Sequence, residues 1–376
     1  MNARAIGATS PRRHPSVLRK PAIRLLFLLP AGAALLVGLD AGLQLLGASA
    51  PVTLDRFPEI HGMLLVLGFV GTVIALERCV ALGKPAGYLS PALLGVGGLL
   101  LVAPLPLWIG RATLLAGTIA MTVVYIPLWK RQQDSVVLIQ ILGSVAAIGA
   151  AALWLRVPAI PVILPFLIAF VVLTIAGERL ELARIGIGSP NAEPLLVALS
   201  FVLLAATVMT ILWPAAGYPL FGLGLLALVA WLGRHDVAVK TIRSTGLPRY
   251  IAACLLAGYG WLAIAAVVLS LHGGVPDGGA YDATVHAVFL GFTISMIMAH
   301  APVILPAVLR KPLPYTPAFW PPAGLLHLSL LIRLGLGDAA GVHDAWASGG
   351  VLNVAAILLF AALAVRQGTR PSQVAA

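Results

Sequence analysis

The sequence predicts an all-α polytopic membrane protein of about twelve transmembrane helices, and three observations carry that prediction. The 376 residues are 60% hydrophobic and only 10% charged, with a mean hydropathy of +1.01, which is more apolar surface than one water-soluble core can hide. The apolar residues fall in runs of roughly twenty, each about enough to cross a ~30 Å hydrocarbon layer, with short Pro, Gly and charged punctuation between them. The basic residues sort to one side of those runs. In lipid every backbone polar group must be satisfied within its own segment, so the runs are helices.

The spans lie near 22–47, 61–82, 89–105, 108–129, 135–155, 158–180, 194–213, 217–233, 250–271, 283–309, 317–337 and 344–366. They form a single membrane domain, 22–366, between a basic tail 1–21 and a short tail 367–376. An even number of spans puts both termini on one side. Of 24 Lys and Arg, all but Arg56, Arg111, Arg156 and Arg333 fall on that side, which the positive-inside rule makes cytoplasmic in a multi-pass bacterial inner-membrane protein. The net charge of +11 is therefore a topology signal and not a nucleic-acid footprint. The loop "GRHDVAVKTIRSTGLPRY" reads as an anchor beside anionic lipid. "LLGASA" before Pro51 looks like a cleavage site, but its apolar stretch is too long for a signal peptide and the proline hinders cleavage. Cys79 and Cys254 form no C-x-x-C and read as small buried residues.

An internal repeat organises the helices. "GFVGTVIALER" (68–78), "AFVVLTIAGER" (169–179) and "GFTISMIMAHA" (291–301) align without gaps, four spans apart, giving three pseudo-repeated four-helix groups. Glu77, Glu178 and His300 share one alignment column at the cytoplasmic ends of helices 2, 6 and 10.

"VHAVFLGFTISMIMAH" places a histidine at each end of helix 10. His286 and His300 are about 21 Å apart along the axis and so cannot share an iron. His61 opens helix 2 at the outer end, as His286 opens helix 10, and two imidazoles at matched depth on different helices can clamp a haem. Gly62, Gly68, Gly71, Ala287 and Gly291 would make room for the macrocycle. The competing reading of each histidine is a hydrogen-bonded packing residue or part of a polar pathway. Arg56 and Arg333 are the outer cations suited to haem propionates, or else interfacial snorkelling side chains. His327, roughly 9 Å deeper than Arg333, is a supporting partner or alternative ligand. His14, His235, His272 and His343 read as solvated.

"HGMLLVLGF" resembles the H-x-H-E-M-x-x-G-F pattern of the NnrS-like membrane proteins, haem proteins of the nitric oxide response that are distantly similar to subunit I of haem–copper oxidases. The resemblance implies a haem held by histidines of helices 2 and 10, which carries over to His61 and His286, and an expected b-type haem. Met63 and Leu64 depart from the pattern's second histidine and its glutamate. Helices 6 and 7 contain no histidine, so no copper site is recognisable.

Glu77, Arg78, Glu178, Arg179, Glu181 and Arg184 read either as inter-helix ion pairs or, with His300, as a proton or ion path. Asp40 reads as a hydrogen-bond partner that would orient a ligand histidine. Pro302 and Pro306 are expected to bend helix 10. The leading expectation is a haem-binding inner-membrane protein handling a small gas ligand or an electron-transfer partner. The alternatives are a small-solute or proton-coupled transporter and a membrane partner that assists assembly of a respiratory complex. Enzyme status and oligomeric state are left open.

Overall fold

The computed structural model describes residues 21–184, 189–309 and 313–369. The tails beyond these, with His14, Arg4, Arg12, Arg13, Arg19, Lys20 and Arg370, lie outside the described residues, as do Arg310 and Lys311. Twelve helices long and apolar enough to span a membrane follow one another, and the described residues contain no strand. They are α1 (Arg24–Leu45), α2 (Phe57–Leu82), α3 (Pro85–Val102), α4 (Leu107–Gln132), α5 (Ser135–Arg156) and α6 (Ile160–Ala183). The second half comprises α7 (Ala192–Leu212), α8 (Pro214–His235), α9 (Gly246–His272), α10 (Gly278–Pro306), α11 (Pro317–Ala339) and α12 (His343–Thr369).

Short connections force sequence neighbours to pack antiparallel. Their ends carry the expected stop signals: Asp134 caps α5 by accepting from the Val136 amide at 2.9 Å, and Gly83 ends α2 at φ 69°, a left-handed position that costs glycine nothing. Leu26, Leu29, Leu36 and Val365 are among many large apolar side chains left exposed, as lipid contact requires. α6 is the most enclosed span, with 83% of its apolar window buried. Helices come close where a side chain is missing: a Cβ on Gly98 of α3 would sit 3.2 Å from the Gly68 Cα of α2.

α2 and α10 share a feature that residue patterning does not announce. Leu64–Gly71 in α2 and Ala287–Ile294 in α10 are wound as π-helix, and these stretches occupy the same columns of the repeat alignment. The corresponding part of α6 is ordinary α-helix. π-turns are rare and concentrate at functional sites. A third such stretch, Leu331–Ala339, closes α11. α10 stays helical through both Pro302 and Pro306, to Leu309.

Candidate functional site

A cavity of about 320 Å³ lies between α1, α2, α6, α10, α11 and α12 at the end of the bundle with few basic residues. His61 and His286 both line it, each on the helical turn before or beside its π-stretch. The His61 Nδ1–H donates to the Gly38 carbonyl of α1 at 2.7 Å. The His286 Nδ1–H donates to the Asp282 carbonyl one turn back at 2.9 Å, and lies 3.2 Å from that residue's Oδ1. Committing Nδ1 as donor leaves Nε2 of each ring the free base, and among the described bonds neither Nε2 has a protein partner. A ring held by its far nitrogen is the usual arrangement of a metal-ligating imidazole.

The rest of the wall is largely apolar, with Tyr281, Phe289, Trp346 and Asn353 among its aliphatic side chains, and small residues shape it. A Cβ on Gly42 would sit 3.1 Å from the His61 Cε1, so the ring packs directly on that glycine. Gly62 and Gly350 also line the space. Of the small residues expected to make room, only Gly62 does so. Gly68 sits against Ala34 and Gly98, Gly71 against Leu94, and Gly291 beneath Trp261, all serving helix contacts, while Ala287 is buried in the core.

Arg333 reaches the cavity from α11 and is gripped on its other side by Asp282, with Nε to Oδ2 at 2.9 Å and Nη2 to Oδ1 at 2.8 Å. Its guanidinium lies 5.4 Å over the Trp346 ring. Asp282 thus ties His286 to Arg333 and fills the orienting role expected of Asp40. Among the described hydrogen bonds Asp40 reaches neither histidine; it accepts from the Val52 amide at 3.1 Å, pinning the loop after α1. Arg56 is also elsewhere. Its Nη1 donates to the Leu101, Ala103 and Leu105 carbonyls at 3.3, 2.5 and 3.1 Å, because the end of α3 presents carbonyls without helical partners. His327 lies outside both cavity linings and accepts from the Trp261 indole at 3.1 Å. Asp282 carried a local signal, an acid four residues before a histidine on one helix face. Gly38 and Gly42 carried none.

At the opposite, basic end the alignment column comes together: Glu77, Glu178 and His300 line a second cavity of about 300 Å³ between α1, α2, α6, α10 and α12. His300 is fully engaged there. Its Nδ1–H donates to the Met296 carbonyl at 2.7 Å and its Nε2 accepts from Arg179 Nη1 at 3.0 Å. Arg179 is buried with Asp236, to which it donates from Nε at 2.6 Å and Nη2 at 2.8 Å. Tyr259 donates to the same carboxylate at 2.6 Å, and the Ala238 amide at 2.7 Å. Burial alone would raise the Asp236 pKa, but the Arg179 hydrogen bonds and charge hold it below the usual carboxylate range. Nearby, Arg78 donates to Glu77 at 2.6 Å, stands 3.8 Å from Glu178 and reaches Gln140 at 3.2 Å. Arg184 pairs with Asp134 and Glu193, and this pairing holds the Asp134 carboxyl below its ordinary range.

The remaining histidines are peripheral: His272 and His343 are exposed, and His235 lies 5.0 Å from the Trp231 ring. Cys79 and Cys254 are free and buried. No three His, Cys, Asp or Glu side chains converge as a metal cluster among the described residues.

The chain belongs to the family described as a domain of unknown function, DUF8744, which it matches over residues 24–369. Among curated proteins and solved structures, none matches it.

Proposed function

For this DUF8744 chain we propose a haem-binding membrane protein in which His61 and His286 give their Nε2 atoms to one b-type haem between α2 and α10. The observation that carries this reading is that the two imidazoles line one cavity, each with its Nδ1–H committed to a backbone carbonyl. The donor set fits the group: two free ring nitrogens, largely apolar walls, glycines where bulk would intrude, and a guanidinium among the lining residues. When bound, the haem supplies reversible one-electron chemistry between ferric and ferrous iron.

The chain's own residues set the conditions. The Gly38 and Asp282 carbonyls fix the tautomers and the ring orientations, leaving each Nε2 available as a ligand. Arg333 offers positive charge to a carboxylate while Asp282 keeps it in place. Leu39, Leu65, Leu164, Leu167 and Phe289 exclude water. A place among NnrS-like proteins, a role in nitric oxide response or electron transfer, and a bacterial inner membrane with the basic end cytoplasmic all belong to this proposal. They rest on the H-x-x-x-x-x-x-G-F segment, the π-stretches and the charge asymmetry.

Purification after expression with ample haem tests the reading: a folded red protein with a low-spin absorption spectrum is expected, and a folded colourless one contradicts it. The competing reading, a solute or proton-coupled transporter, draws on the two cavities lying at opposite ends of one seam, with Ile357 common to both walls. Solute uptake by liposomes containing colourless protein would establish that alternative.

A further inference from the structure

The basic-end cavity has an unusual balance of hydrogen-bonding groups. Its walls are mostly apolar, with Phe69 and Phe360 among aliphatic side chains, and its polar groups are Glu77, Glu178, His300, Thr174 and Thr293. The donors among them are already spent. Thr174 and Thr293 donate to the Phe170 and Val288 carbonyls of their own helices at 2.8 and 3.0 Å, and both His300 nitrogens are engaged.

Acceptor capacity remains. None of the described hydrogen bonds ends on Glu178, and the described ion pairs give Glu77 and Glu178 a single guanidinium between them. A carboxylate in apolar surroundings is costly without a donor. The cavity therefore selects an occupant with an apolar body and a hydrogen-bond donor at one end. Its wall includes Val365 of α12, which is 67% exposed, so the cavity is open on that side to an occupant arriving from the lipid.

We propose that this cavity binds a lipid-soluble hydroquinone, with a ring hydroxyl donating to Glu178 and the ring held among the aliphatic side chains of α1, α10 and α12. A hydroquinone presents donors on a flat apolar ring, and a volume of about 300 Å³ lies within the usual range for small-molecule sites. The site is separate from the histidine cavity and does not depend on haem.

Equilibrium dialysis of the purified full chain against a decyl-chain benzohydroquinone tests this, with its dimethyl ether and decyltrimethylammonium as comparison probes. Saturable hydroquinone binding is expected, with the ether, which has lost its donors, about tenfold or more weaker. Glu178→Gln should weaken hydroquinone binding by a similar factor. Gly32→Phe should abolish it without touching the acid, because a Cβ on Gly32 meets nothing within 4 Å and a side chain there enters the cavity. His61→Ala should leave it unchanged. Equal binding of hydroquinone and ether would make the cavity a lipid-tail slot and overturn the proposal. Tightest binding by the ammonium would make it a cation site and do the same, as would no saturable binding to the folded protein.

Discussion

The two ends of the α2–α10 seam both carry histidine, and what separates them is the count of nitrogens already in use. At the sparse end His61 and His286 each spend one nitrogen on a carbonyl and keep the other free over a cavity. At the basic end His300 spends both, one on the Met296 carbonyl and one on a buried arginine. A histidine with a spare nitrogen beside empty space is equipped to bind something, and one with both consumed is equipped to hold helices together. Sequence spacing separates the three by depth but does not show which nitrogens are in use.

Breaking the basic end should give the largest loss of stability. Asp236→Ala leaves Arg179 buried without its carboxylate, and removing one partner of a buried pair costs about 3–5 kcal/mol. Thermal unfolding in detergent should show that loss, while protein that stays folded keeps the wild-type haem spectrum. A change of spectrum would mean the two ends are not separable. At the sparse end Asp282→Asn keeps the backbone carbonyl that holds His286 but weakens the grip on Arg333. Haem retention should fall about 10–100-fold, as when other supports of metal ligands are removed, with only a small change in melting temperature. A titration of haem into apo-protein measures it.

Arg56→Ala sharpens the comparison by separating depth from role. It removes three carbonyl contacts at the end of α3 and should cost about 1.5–3 kcal/mol without moving the spectrum. A loss of haem would return Arg56 to the site. The smallest effect is one of pH. The Asp236 carboxyl is held below its ordinary range by Arg179, against the opposing effect of burial, so its contribution is complete above the unfolded value of about 3.9. It is lost as pH falls through the lower folded value. Chemical denaturation should therefore show this contribution flat from pH 7 to about 5 and declining below about 4. Asp236→Asn should flatten the decline, and a decline already present near pH 6 would implicate other groups.

The fold was legible because lipid leaves few choices. Hydropathy gives the spans, and the ends differ by a few residues, as where the polar first turn with Pro58 and Glu59 starts α2 at Phe57 instead of His61. The three residues that share a column in the alignment of 68–78, 169–179 and 291–301, Glu77, Glu178 and His300, line one cavity, since equivalent helices end at equivalent depth. The site was half legible. His61, His286 and Arg333 could be placed by depth alone. Arg56 could not, because the carbonyls it binds belong to α3, a helix that depth arguments never compare with α2. Asp40 and Asp282 are both outer-end acids; the i,i+4 spacing puts Asp282 beside His286, but its pairing with Arg333 of α11 depends on how the helices pack. The π-stretches likewise have no reliable residue signature.

The most direct test of the central claim is the visible spectrum of three variants, His61→Ala, His286→Ala and His300→Ala, each purified folded from cells supplied with haem. The account predicts a six-coordinate low-spin spectrum for the wild type and for His300→Ala, and a five-coordinate spectrum or lost haem for each of the other two. A spectrum that His300→Ala disturbs and His61→Ala or His286→Ala leaves intact would contradict it.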